Sequence, residues 1–154
     1  MFKNIAMVAA LALTTACASV PTGVDTYTVE PKNAMGGELS SFAAAVNRLN
    51  AEGTEVIIDV PECLSACTYF LLADNVRVNP ETRFGFHSAK SWASALTMVP
   101  IKSHKDNVIW ARDLGTKCPE LEEWFLEEGS VLVGYKFIEG QWFIDNCSIE
   151  AYTN

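Results

Sequence analysis

Glu55-Val56-Ile57-Ile58-Asp59-Val60-Pro61-Glu62-Cys63-Leu64-Ser65-Ala66-Cys67-Thr68 is the stretch whose reading decides the fold. Residues 55–60 are mostly β-branched and apolar, the pattern of a strand buried in a parallel sheet. Pro61 lacks a backbone N–H and stops such a strand. Residues 65–73 are nearly all apolar or small, which predicts a buried helix. Ser65 therefore stands at a strand-to-helix corner. Upstream, Leu39, Phe42, Ala43, Val46 and Leu49 recur at helical spacing, and Gly53 ends that helix. Downstream, residues 75–78 predict a short strand and Asn79-Pro80-Glu81-Thr82 a turn. Arg83-Phe84-Gly85-Phe86-His87 predicts another strand. Strand, helix, strand, helix in this order implies an α/β fold: a parallel sheet with helical crossovers. Such sheets place ligands at the carboxyl ends of their strands.

The flanks are plainer. Tyr27-Thr28-Val29 is β-prone and Pro31 ends it, and residues 32–37 form a loop leading into the first helix. A helix is expected over 101–114 and a short one over 119–128, with Pro119 near its first turn. Residues 131–146 alternate apolar and aromatic side chains, interrupted by Gly134 and Gly140. There is no internal repeat.

A chain of 154 residues suffices for one domain with a real core. With 49% hydrophobic and 19% charged residues it is globular rather than disordered. The formal net charge is -8, and no basic stripe is present to neutralise phosphates, which argues against a nucleic-acid partner. The only basic cluster, Lys102-Ser103-His104-Lys105, reads as a solvated helix face.

The N-terminus reads as an export signal. Lys3 supplies the positive start, and the apolar run from Ile5 to Leu13 is too short to span a bilayer. Two cleavage readings stand. Ala16-Cys17-Ala18 fits ordinary signal peptidase and a soluble product. Thr14-Thr15-Ala16-Cys17 looks like a bacterial lipobox, with Cys17 lipidated. The second is preferred, because a cysteine seldom falls so close to a cleavage site by chance. The expected organisation is a signal peptide over 1–16, a lipidated N-terminus and tether over 17–32, and an α/β domain over 33–154. The expected location is the bacterial periplasm or envelope, with the lipid as membrane anchor.

Cys63, Cys67, Cys118 and Cys147 remain once Cys17 is set aside. An even number in an oxidising compartment suggests disulfides, and four cysteines allow three connectivities, among which the sequence does not choose. Cys63 and Cys67 are close enough to pair if the chain bends at Ser65, and a Cys118–Cys147 bridge would close a loop across the C-terminal region. Plain buried thiols are the alternative. No zinc site is expected: no second close Cys/His pair has ligand spacing, and His104 is isolated.

Serine hydrolysis needs a nucleophile with a base in reach, an oxyanion hole and something to orient the base. Ser65 at a helix start is a candidate nucleophile and His87 a candidate base. The amides of Ala66 and of the Gly36-Gly37 turn are candidate oxyanion donors, because glycine lets backbone N–H groups approach a substrate. Each also has a plainer reading: an N-cap serine, a loop, a half-buried histidine.

The order Gly36-Gly37, Ser65, Arg77, Pro80, His87 resembles the ClpP/crotonase superfamily, and most closely the small exported ClpP-like proteins of bacteria. Cys63-Leu64-Ser65-Ala66-Cys67 with the downstream Phe86-His87 carries most of the resemblance, which covers about residues 33–90. It implies a ClpP/crotonase-like parallel sheet with helical crossovers, Ser65 as nucleophile, His87 as general base, and Gly36, Gly37 and Ala66 as the oxyanion hole. A peptide or protein substrate would lie extended across the cleft, and no cofactor or metal is implied.

This sequence departs from the family in three places. Tyr135 stands where the triad's acid is expected, with Asp113, Glu128 and Asp145 as candidate substitutes. Ala34-Met35 replaces the Ser-Pro before the glycines. Few residues precede the loop, so the sheet is expected to be N-terminally truncated or completed by a partner chain, which makes a homo-oligomer an expectation too. The leading functional reading is an exported serine hydrolase, a peptidase. The alternative is a catalytically impaired binding or assembly module of the same fold.

Overall fold

Thr26–Thr28 forms the first strand, β1, and Pro31–Ala34 a short helix, α1. The structure, a computed structural model, describes residues 25–91, 94, 96 and 99–153. The expected signal segment 1–16, the lipidation site Cys17 and the tether as far as residue 24 lie outside the described residues. Pro31 not only ends β1 but starts α1, since a first-turn position needs no N–H. Val29 and Ala34 are buried in the core, so the folded domain begins before residue 33, where the sequence had drawn the boundary.

The 14-residue helix α2, Leu39–Glu52, buries Val46 and Leu49 and packs Leu39, Phe42 and Ala43 against the core. Gly53 ends it in the left-handed conformation at φ 67°, with its N–H returned to the carbonyls of Asn50 and Leu49. A side chain would be strained there, and glycine is not. The chain then enters β2, Glu55–Ile58. With β4, Val76–Val78, and β7, Glu150–Ala151, it makes a four-stranded sheet in the order β1-β2-β4-β7. Every pairing in it is parallel. The α/β expectation with a parallel sheet and helices therefore holds.

A second sheet was not foreseen. β3, Glu62–Leu64, lies parallel to β5, Arg83–Phe86, and β6, Lys136–Glu139, pairs antiparallel to β5. The chain crosses from the large sheet to the small one twice, after β2 and after β4. The crossings run side by side: the Asn79 amide donates to Asp59 Oδ1 at 2.7 Å, and Thr82 Oγ1 donates to the Val60 carbonyl at 2.7 Å. Pro61 stops the ladder of the first sheet as expected, and β3 follows it directly. Three residues carry too little alternation to announce a strand.

Helices complete the molecule: α3, His104–Lys117; α4, Pro119–Trp124, which runs into a π turn at Phe125–Gly129; and α5, Gly140–Asn146. The seven-residue α5 replaces part of the region that read as alternating, where aromatic content mimics a strand. Residues 65–73 fold as an eight-residue 3₁₀ helix, Ser65–Leu72, rather than an α-helix. Phe84, Phe86, Trp110, Phe125 and Phe143 are fully buried between β5 and these helices. Each such ring contributes about 1.5–3 kcal/mol of burial free energy. Ring pairs such as Phe84–Phe143 at 4.9 Å and Phe86–Trp124 at 5.3 Å lock β5 in place.

Two disulfides are formed among the described residues. Cys63–Cys67 ties β3 to the 3₁₀ helix with 5.3 Å between Cα atoms. Cys118–Cys147 ties the α3–α4 corner to the end of α5 with 4.9 Å between Cα atoms. Of the three connectivities open to the sequence, this one pairs residues that the two helix ends and the Ser65 corner already place side by side.

Candidate functional site

β3 and β5 are parallel neighbours, with Leu64 opposite Gly85. Chains leaving adjacent parallel strands leave at the same end of the sheet. Ser65 follows β3 and His87 follows β5, so strand pairing by itself carries both to one carboxyl edge, where open parallel sheets bind ligands. Ser65 Oγ lies 2.7 Å from His87 Nε2.

Ser65 has φ 54°. Only Ser65 and Ser148 among the described non-glycine residues adopt a positive φ. The left-handed conformation costs an L-residue on the order of 1–2 kcal/mol, and such strain persists where the surroundings enforce it. Here β3 holds one side of the corner, the 3₁₀ helix holds the other, and the Cys63–Cys67 bridge joins the two across Ser65. The result is a sharp corner that aims the hydroxyl at the imidazole.

His87 Nδ1 lies 2.7 Å from the Ser88 carbonyl oxygen. A carbonyl only accepts, so Nδ1 carries the hydrogen and the neutral ring presents its Nε2 lone pair to the Ser65 hydroxyl. Burial lowers the His87 pKa below the ordinary histidine value; the Ser88 carbonyl opposes this and the Lys90 charge adds to it. The neutral, proton-accepting form is thus favoured. Tyr135 meets the ring edge-to-face at 5.2 Å. The residue found in place of the expected acid therefore does touch the base, but as an aromatic wall.

None of the three candidate acids reaches Nδ1. Asp113 lines the same cavity as Ser65 and His87, yet its Oδ2 accepts from the Tyr69 hydroxyl at 3.1 Å. Burial and the Asp113 charge raise the Tyr69 pKa, which keeps that phenol a donor. Asp145 accepts from Gln141 within α5, and Glu128 is exposed in the π turn. A backbone carbonyl occupies the place the carboxylate would take. No side-chain pattern encodes such a partner, so the sequence offered no signal for it.

The oxyanion expectation changes in one member. The Gly36 N–H donates to the Asn33 carbonyl at 3.1 Å, so it is spent within the turn and corrects the reading of Gly36 as a donor. Gly37 lines the cavity beside Ser65, and its N–H has no hydrogen-bond partner among the described residues. Ala66 is second in the 3₁₀ helix, where N–H groups lack a partner within the helix. These two amides lie beside Ser65 without a partner within their own turn or helix.

Gly36 supplies clearance instead. It has φ 78°, and a Cβ there would stand 2.5 Å from the Leu64 carbonyl oxygen, 2.8 Å from Ser65 Cβ and 3.0 Å from the Ala66 nitrogen. Gly36→Ala is expected to cost roughly 2–4 kcal/mol through backbone strain and overpacking. It should also lower reactivity at Ser65, because the methyl crowds the Ala66 amide. Urea unfolding and labelling of Ser65 measure both effects; a variant as stable and reactive as the parent contradicts this packing.

Two cavities meet at His87. One of about 580 Å³ is lined by Gly37, Glu38, Ser65, Tyr69, Trp110 and Asp113, among others. The other, about 240 Å³, is lined by Pro100, Leu132, Val133 and Tyr135. An extended chain crossing the Ser65–His87 pair would place one flank in each. Arg77, part of the motif order, stands away from this cleft in β4, where it faces Glu55 and Glu150 and stacks near Tyr152. Among the described residues, no group of three His, Cys, Asp or Glu side chains is placed to hold a metal ion.

No protein-family model and no curated protein sequence matches this chain.

Proposed function

We propose that the protein is an exported serine hydrolase of ClpP/crotonase-like fold, acting on peptides. The observation that carries this reading is Ser65, held at φ 54° with its hydroxyl 2.7 Å from an imidazole nitrogen that has a free lone pair. His87 Nε2 takes the Oγ proton as Oγ attacks the scissile carbonyl carbon. The oxyanion forms against the Ala66 and Gly37 N–H groups, and the imidazolium gives its proton to the departing amine. Water then repeats the sequence on the acyl-enzyme. Trp110 lines the larger cavity, and its buried indole N–H lacks a partner among the described residues. Two disulfides are compatible with an oxidising, extracytoplasmic location, where Cys17 would carry the lipid anchor.

One observation favours the alternative, a binding module with impaired chemistry: Nδ1 meets a neutral carbonyl, which stabilises an imidazolium less than a carboxylate does. A fluorophosphonate probe separates the two readings. The hydrolase reading expects stoichiometric phosphonylation mapped by peptide mass spectrometry to Ser65. Folded, oxidised protein that resists the probe leaves the binding-module reading standing.

The lowered His87 pKa sets the pH dependence. Protonated His87 cannot accept the Ser65 proton, so activity falls as pH drops through the folded-state pKa. Because that pKa lies below the ordinary value of about 6.5, more than half of full activity is expected to remain at pH 6.5. Labelling rates between pH 4.5 and 8 check this, and a half-maximum above pH 6.5 contradicts it.

A further inference from the structure

We infer that the peptide unit joining Ser88 to Ala89, held by Asn107, stands in for the missing carboxylate, which makes Asn107 a positioning residue for His87. The inference rests on reading Ser65 and His87 as the reacting pair. The carbonyl oxygen of Ser88 and the N–H of Ala89 belong to one planar unit. The oxygen accepts from His87 Nδ1 at 2.7 Å, and the N–H donates to Asn107 Oδ1 at 2.8 Å. The four groups form a chain: Asn107 Oδ1, the 88–89 peptide, the imidazole, the Ser65 hydroxyl. Donating a hydrogen bond from the N–H end of an amide polarises its carbonyl, so Asn107 makes the Ser88 oxygen a better acceptor.

Asn107 is itself fixed. It is 1% exposed, in the first turn of α3. Its Nδ2 donates to Ser88 Oγ and to the Ser103 carbonyl, both at 2.8 Å. Ser103 caps α3, accepting from the Asp106 N–H and donating to its carboxylate. The Ser88 N–H donates to the Val131 carbonyl at 2.7 Å, which holds the strand side of the unit. If the 88–89 peptide flipped, it would turn an N–H toward Nδ1. That favours the tautomer with Nε2 protonated, which has no lone pair for the Ser65 proton. Asn107 prevents the flip, since its Oδ1 is an acceptor and repels a carbonyl.

The test is the His87 tautomer, read by ¹⁵N NMR of histidine-labelled protein. His104 is the only other histidine, and His104→Gln leaves a single imidazole to assign. The parent is expected to show protonated Nδ1 and bare Nε2 above the His87 pKa. Asn107→Leu, close in volume and without an acceptor, is expected to mix the tautomers. It should lower kcat by about 10²-fold, within the range of general-base catalysis, with KM little changed. The acid limb of its pH profile should also move lower, because the imidazolium loses support. Lys90 beside the ring, and Asp106 and Asp113 on the cavity wall, are untouched by the substitution. Ser88→Ala keeps the Ala89–Asn107 bond and should keep the parent tautomer. A folded Asn107→Leu with the parent tautomer overturns the inference. So does a parent ring protonated at Nε2, which needs no variant to fold. The NMR readout does not depend on turnover, so an inert protein with the expected tautomer refutes the hydrolase reading and leaves the positioning network intact.

Discussion

Ser65→Ala is expected to abolish fluorophosphonate labelling and to lower peptide hydrolysis by on the order of 10³-fold or more, while the fold survives. The substitution removes one hydroxyl and its 2.7 Å contact with His87, and leaves the corner, the bridge and the cavity in place. Losing one partly exposed hydrogen bond costs about 1 kcal/mol, too little to unfold a domain of ordinary stability. Alanine still bears the strain of the left-handed conformation, whereas glycine does not. Ser65→Gly is therefore expected to be at least as stable as Ser65→Ala and equally inert. A position whose native residue is strained, and whose relief removes activity without loss of stability, behaves as a nucleophile rather than an N-cap. Thermal melts and digestion of a peptide mixture followed by mass spectrometry give both numbers. Unchanged hydrolysis by purified Ser65→Ala would assign the activity to a different group.

Removing the Cys118–Cys147 bridge is expected to be the most damaging change to stability. A bridge restricts the unfolded chain more as the loop it closes grows. For a separation of 29 residues the effect is about 3.5 kcal/mol, against about 2 kcal/mol for the separation of 4 at Cys63–Cys67. The double variant Cys118→Ala/Cys147→Ala should therefore lose a large part of a stability in the usual range of about 5–15 kcal/mol. Its melting temperature should drop by on the order of 10 °C. Both sulfurs are buried, so the variant also leaves small cavities at the α3–α4 corner and beside α5. The Cys63→Ala/Cys67→Ala pair should show the opposite balance: a smaller change in unfolding free energy and a larger loss of Ser65 labelling, because that bridge spans the strained corner. Urea titrations of the two double variants decide the ranking, and a Cys118/Cys147 variant within about 1 kcal/mol of the parent refutes it.

Much of the cleft was legible before the structure. Periodicity placed α2 and β2, Pro61 marked a stop, and the run beyond Ser65 read as a buried helix. Ser65 and His87 could be singled out because a hydroxyl and an imidazole are chemically conspicuous side chains, each at the end of a recognisable segment. β3 and α5 escaped because three and seven residues carry too little periodic signal. Residues near Thr26 read as tether because their burial depends on partners distant in sequence.

The amino-acid sequence by itself determined an α/β chain with a net negative charge, four cysteines besides Cys17 and one serine–histidine pair at strand ends. Side-chain identity and local spacing are enough for that. Tertiary structure alone decided that β3 and β5 pair in parallel with Leu64 opposite Gly85, which brings Ser65 and His87 together. It also decided that Ser65 is strained, that the Gly36 amide is consumed in its own turn, and that the base leans on a backbone carbonyl. Every residue except proline carries the same N–H and C=O groups. Which of them meets an imidazole is set by packing, and a string of side chains does not record it.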